Sequence, residues 1–157
     1  MDIFYTNSNN FEGKNNYYKG HFAARAIIEY CAKNIYNIEN PELEIVNNKP
    51  KFKYSDINFS ISHSGEIAAV CFDKNPVGFD IEKIKNRNYK SIAKRMNFSL
   101  EEDSLEAFYK CWTQYEAAFK LQNEVKYRFS EKLSANYVFS IASIQKINPE
   151  SIQELFL

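Results

Sequence analysis

Residues 77 to 82, Val-Gly-Phe-Asp-Ile-Glu, alternate without a break: Val77, Phe79 and Ile81 are apolar, and Gly78, Asp80 and Glu82 are not. Period two marks a strand with one face on a core. Ile57, Phe59 and Ile61 alternate with Asn58, Ser60 and Ser62 and predict a second strand, which runs into a small polar turn, Ser62-His63-Ser64-Gly65. Ile67 to Phe72 is a continuous apolar run, the mark of a buried strand. Asp73-Lys74-Asn75-Pro76 is turn chemistry, so this strand and 77–82 are expected to pair as antiparallel neighbours. Met1 to Tyr5, Leu43 to Val46 and Tyr137 to Ile144 are further strand candidates, with a turn at Asn47-Asn48-Lys49-Pro50.

Helical periodicity covers two stretches. From Tyr18 to Tyr36, the residues Phe22, Ala23, Ala26, Ile27, Tyr30 and Cys31 fall on one stripe, with Arg25 off it on a wetter side. Ser99-Leu100-Glu101-Glu102 has the form of a capping box, predicting a helix from there to about Gln122 with a break near Asp103. Its apolar stripe is Leu105, Phe108, Trp112, Tyr115 and Phe119. Residues 123 to 136 read as polar loop, and Asn148-Pro149-Glu150 as the start of a short C-terminal helix. Helix then strands in the first half, and helix then strand in the second, form a loose echo.

Composition narrows the function. The 157 residues suit one domain or two small fused halves, and 45% hydrophobic with 16% aromatic residues is ample for a core. Formal net charge is zero, so no global field favours nucleic acid or a membrane surface. No leader pattern opens the chain and no apolar run reaches membrane length. Cys31, Cys71 and Cys111 are widely spaced and odd in number, as expected of reduced thiols in a cytoplasmic protein. His21 and His63 are the only histidines, too few for a His-rich zinc site.

The candidate chemistry is acidic at its centre. Asp80 and Glu82 share one strand face, with Cβ atoms roughly 6.5–7 Å apart. They can lean onto one divalent ion beside the space Gly78 leaves, or they can be the wet face of an ordinary strand. Glu116 lies among Trp112, Ala117 and Phe119, as a third carboxylate for that ion or as the partner of Lys120 in an i,i+4 pair. Ser62-His63-Ser64 offers hydroxyls, an imidazole and backbone N–H groups to an anion, or is a plain hairpin turn. Lys83, Lys85, Arg87, Lys90, Lys94 and Arg95 form a run with no acid among them. It is either a solvated face or a landing site for an anionic partner beside the acids.

Three blocks stand in a telling order. They are Lys49-Pro50 with Phe59-Ser-Ile-Ser-His-Ser-Gly65, then Val77-Gly-Phe-Asp-Ile-Glu-Lys83, then Phe108-Tyr-Lys-Cys-Trp-Thr-Gln-Tyr-Glu-Ala-Ala-Phe-Lys120, with Ile92-Ala-Lys-Arg95 between the last two. Together they resemble the 4′-phosphopantetheinyl transferases of the surfactin-synthetase-activating type, over roughly residues 20 to 145. The resemblance implies an α+β fold of two pseudo-symmetric halves, 1–76 and 77–157, each a long helix packed on a small antiparallel sheet, with the active site at their junction. It implies Mg²⁺-dependent transfer of phosphopantetheine from coenzyme A to a serine of an apo acyl or peptidyl carrier protein, as in fatty acid biosynthesis, with release of 3′,5′-ADP. In that pattern Asp80, Glu82 and Glu116 hold the metal, Glu116 is the candidate base, and Lys120 binds phosphate. Arg25, Lys49, Ser62 and His63 face the nucleotide end with its 3′-phosphate. The resemblance further implies an acidic carrier protein, for which the run Lys83 to Arg95 is the expected dock, and a monomeric enzyme.

The chain departs from the pattern in two places. Tyr115 stands where the family usually carries lysine, and its spacing fits the apolar stripe of its helix. The N-terminal segment offers only Lys14 and Lys19 where the family often has a basic cluster. A transferase-like module that binds coenzyme A or a carrier protein without turnover is the second reading. A third is an unrelated Mg²⁺-dependent phosphohydrolase.

Overall fold

The computed structural model describes all of residues 1–157 and is α+β. A helix, two sheets and a second helix lie in successive layers. The first sheet has the order β4-β5-β1-β9, from β1 (Asp2–Asn7), β4 (Asn58–Ser64), β5 (Ile67–Asp73) and β9 (Ser151–Glu154). Its outer face packs on α1 (Asn16–Asn34) through Phe4, Ala68, Val70 and Phe72, which meet Ala23, Ala24, Ile27, Ile28 and Cys31. Its inner face, with Ile3, Ala69 and Cys71, meets Val77, Phe79, Ile81, Phe139 and Ile141 of the second sheet. That sheet is β6-β8-β7, from β6 (Val77–Lys83), β7 (Tyr127–Ser134) and β8 (Tyr137–Ser143), and α3 (Leu105–Leu121) covers its far face. A hairpin, β2 (Leu43–Val46) and β3 (Lys49–Phe52), and a short helix, α2 (Tyr89–Met96), complete the molecule. No helix is long and apolar enough to cross a membrane.

Several sequence-based expectations are corrected. The strands flanking Asp73–Pro76 do not pair: β5 pairs with β1 and β4, while β6 pairs with β8. The connection between them steps from one sheet to the other. Ser62, His63 and Ser64 are strand, and Gly65-Glu66 makes the turn. The Asn-Asn turn is two residues long with positive φ at Asn47 and Asn48, so Lys49 and Pro50 open β3. Helix α3 starts at Leu105, capped by Ser104, whose side chain accepts from the Ala107 N–H at 3.1 Å, and not at Ser99. Residues 127–134 are a strand rather than loop. The C-terminal segment is β9, lying parallel to β1, rather than a helix. Both are sparsely apolar edge strands, formed because β8 and β1 present unpaired backbone groups.

Both helices sit rotated from their predicted stripes. On α1 the buried set is Gly20, Ala23, Ala24, Ile27, Ile28, Cys31 and Ala32, leaving Phe22 and Tyr30 exposed. On α3 it is Ala107, Phe108, Tyr109, Thr113, Ala117 and Leu121, leaving Tyr115 and Phe119 exposed. Small residues, Gly20, Ala23 and Ala24 on α1 and Ala107, Thr113 and Ala117 on α3, hold part of each buried face, where the helix backbone can approach its sheet closely. Thr113 bonds Ser140 of β8, Oγ1 to Oγ at 2.7 Å. The space beside Gly78, expected to be free, is filled by the backbone of α3.

Candidate functional site

Strands β4 and β6 are the edges of their sheets and lie side by side, bridged by serine hydroxyls. The Phe79 N–H donates to Ser60 Oγ at 3.0 Å and the Lys83 N–H to Ser64 Oγ at 3.1 Å. Ser62 Oγ donates to Asp80 Oδ1 at 2.8 Å and Ser64 Oγ to Glu82 Oε2 at 2.6 Å. The serine face of β4, read from sequence as its polar side, therefore satisfies the open edge of β6 and orients its two acids. The apolar side chains of β6 fix the strand from below, so Asp80 and Glu82 project into the junction between the two sheets and α3.

A cavity of about 600 Å³ opens at that junction. Asp80, Glu82, Glu116, Lys120, Ser62 and His63 all line it, from β4, β6 and α3. Trp112, Glu116 and Lys120 repeat at i,i+4, the helix face adjoining the buried Thr113–Ala117 stripe. Lys120 does not pair with Glu116. Its Nζ donates to Asp80 Oδ1 at 2.7 Å and to the Ile61 carbonyl at 3.2 Å. Asp80 is 5% exposed and its Oδ2 has no partner.

Three of these residues, Glu116, Glu82 and His63, are shifted by their surroundings. Burial, and then Asp80 nearby, push the Glu116 carboxyl above its usual range, against a smaller pull from Lys120. Burial also pushes Glu82 up, Asp80 adds to it, and the Ser64 hydrogen bond works against it. Burial lowers the His63 imidazole, as do His21 and Lys120. Such shifts gather where a site is built for charge.

No three His, Cys, Asp or Glu side chains are drawn tightly enough together to form a metal cluster. The donors nevertheless suit a hard cation: three carboxylates face one ammonium, and one buried carboxylate oxygen is unpartnered.

Two expected residues lie elsewhere. Lys49 lines a smaller adjoining pocket with Lys51, Asn58 and Gln122. Burial first, then Lys120 and Lys51, push its ammonium down to about 8. Arg25 is on the outside of α1, bonded through Nε to Glu29 at 2.9 Å. The residue of α1 that does reach the cavity is His21, which sequence reasoning left unassigned. Its spacing of four from Tyr17, off the core stripe, was the available signal. The basic run is partly neutralised, since Lys83 bonds both Glu66 oxygens at 2.7 Å and Lys90 pairs with Asp103.

No family model matches the chain. Over 86 residues it is 40% identical to a Haemophilus influenzae protein named "Putative 4'-phosphopantetheinyl transferase". The match covers 47% of this chain and 37% of that protein's length.

Proposed function

We propose that this chain, a relative of the 4′-phosphopantetheinyl transferases, moves phosphopantetheine from coenzyme A to a serine of an apo carrier protein. The observation that carries the reading is the convergence of Asp80, Glu82, Glu116 and Lys120 on one cavity. The matched relative supports it independently.

The residues suit the chemistry. Phosphoryl transfer depends on charge neutralisation and in-line positioning more than on covalent help. Asp80, Glu82 and Glu116 would hold Mg²⁺, which when bound neutralises the diphosphate. Glu116 has no hydrogen-bond partner in the protein, and burial raises its proton affinity, so it is the base for the incoming hydroxyl, directly or through one water. The serine oxygen bonds the phosphorus that carries the pantetheine arm. The bond from that phosphorus to the bridging oxygen breaks, and 3′,5′-ADP leaves with the electron pair. Lys120 supplies positive charge beside the phosphates, and Ser62 and His63 line the nucleotide end. The exposed cations after β6 would receive the acidic carrier.

The test is intact-mass measurement of an apo carrier protein incubated with this chain, coenzyme A and Mg²⁺. A mass gain of one phosphopantetheine supports transfer, and an unchanged mass rejects it. The second reading, binding without turnover, draws support from the Lys120–Asp80 ion pair, which occupies one oxygen of the metal site. It predicts coenzyme A binding with no mass gain.

A further inference from the structure

Of all the side chains on α1, only His21 lines the cavity. Its ring centroid lies 5.3 Å from that of His63 and 4.5 Å from that of Tyr17, and the Tyr17 and His63 rings are 5.8 Å apart, all edge to face. Gly20 makes this cluster possible: a Cβ there would stand 2.5 Å from His63 Cγ, so any other residue would push the imidazole off the helix. Arg25 lies five residues beyond Gly20, and its side chain is 66% exposed and engaged with Glu29.

The cavity thus has two unlike ends. At the β6–α3 end, three carboxylates admit a phosphate only behind a cation. At the α1–β4 end no carboxylate belongs to the ring cluster. The groups facing His63 are His21 and Tyr17 from α1, Lys120 from α3 and, with the opposite charge, Asp80 from β6. Burial first, and then His21 and Lys120, disfavour a charged His63, and a bound anion would offset the two like charges. Coenzyme A carries two separate anionic groups, a diphosphate and a phosphomonoester on the ribose.

We infer that His21, and not Arg25, is the contact of α1 to the ribose phosphomonoester, acting as a pair with His63. The inference rests on the proposed coenzyme A site and assigns it a residue that sets its preference for the 3′-phosphorylated nucleotide. Tyr17 buttresses the His21 ring.

The experiment compares binding of coenzyme A and 3′-dephospho-coenzyme A by calorimetry, using the full chain and its His21→Ala, His21→Arg and Arg25→Ala variants. Wild type should prefer coenzyme A by about tenfold or more, as a charge-assisted contact to a phosphate allows. His21→Ala should lose most of that preference while binding the dephospho ligand as wild type does. His21→Arg should restore it, and Arg25→Ala should leave it intact. His21 is exposed, so its variants should fold, and matched melting curves check this. Full preference in His21→Ala, or its loss in Arg25→Ala, overturns the inference. Equal wild-type affinity for the two ligands overturns it and leaves the coenzyme A site standing, whereas binding of neither ligand overturns both.

Discussion

Gly78 lies directly beneath Ala117: a Cβ on Gly78 would stand 1.9 Å from the Ala117 carbonyl oxygen and 2.6 Å from the Leu121 nitrogen. The contact is backbone on backbone, so no side-chain rotation relieves it. It sets the height of α3 over β6 and hence the reach of Glu116 and Lys120 toward Asp80. Gly78→Ala should cost about 3 kcal/mol, the upper part of the usual range for overpacking, and lower the melting temperature by about 10 °C. A variant that melts within 2 °C of wild type (about 0.5 kcal/mol) would mean that α3 does not sit this close.

Glu116 is the cleaner probe of the acids, because it is only half-buried and holds no partner. Glu116→Ala should melt as wild type does while holo-carrier formation falls by roughly 10²–10⁴-fold, the range for a lost base. Asp80→Ala should abolish turnover too, and should also destabilise, since Lys120 and Ser62 lose their shared acceptor. Chelation of divalent ions should likewise abolish turnover in the wild type. Near wild-type rates in Glu116→Ala, or indifference to chelator, would remove these carboxylates from the mechanism.

Within the basic run, Lys85, Arg87, Lys94 and Arg95 are exposed and form no ion pair with an acid, while Lys83 and Lys90 are engaged. The Arg87 guanidinium lies 5.7 Å from the Phe108 ring and 5.9 Å from Trp112, which steadies it near the cavity. Reversing the charge of Lys94 and Arg95 together should raise the carrier KM several-fold and leave the coenzyme A KM unchanged. Lys90→Glu should do less. Added salt should raise the wild-type carrier KM, because exposed charges are screened over about 10 Å at 0.1 M. A carrier KM insensitive to both salt and these reversals would place the dock elsewhere.

Tyr115 is 47% exposed and meets the Phe98 ring at 5.9 Å between centroids, so it does not complete a buried stripe, and it does not line the cavity. Tyr115→Lys should forfeit about 0.5–1.5 kcal/mol of aromatic contact and lower the melting temperature by only a few degrees. Turnover should hardly change. Global unfolding, or a marked gain in kcat, would contradict this placement.

The β4–β5 turn carries an acid-sensitive clamp. Glu66 accepts from Lys83 Nζ and from the Tyr137 hydroxyl at 2.6 Å, which hold its carboxyl down at about 2 from an ordinary 4.5. A carboxyl lower in the folded state contributes fully above its unfolded value, and the contribution is lost as pH falls from about 4.5 toward 2. Glu66→Gln should therefore melt below wild type at neutral pH, with the gap closing through that window. A gap independent of pH would show that packing alone accounts for the clamp.

Much of this was legible in the chain. The alternation in 57–62 and 77–82, the apolar run of 67–72 and the largely apolar stretch 137–144 located four strands, because in an extended chain the side-chain pattern reports which residues face a core. The spacing of Glu116 and Lys120, and the order of Ser62, His63, Asp80 and Glu82, gave the residues that meet in the cavity. The tertiary structure decided what each face touches. Pattern could not tell that the polar face of β6 lies under α3, since a glycine gap is the same in sequence whether solvent or a backbone fills it. Strands β7 and β9 form because neighbouring edges leave backbone groups to pair, a condition set by other parts of the chain. The phase of α1 was decided by fit. Gly20, Ala23 and Ala24 let the helix lie close to the sheet, where Phe22 and Tyr30 would hold it away. That rotation puts His21 at the cavity and turns Arg25 out to Glu29.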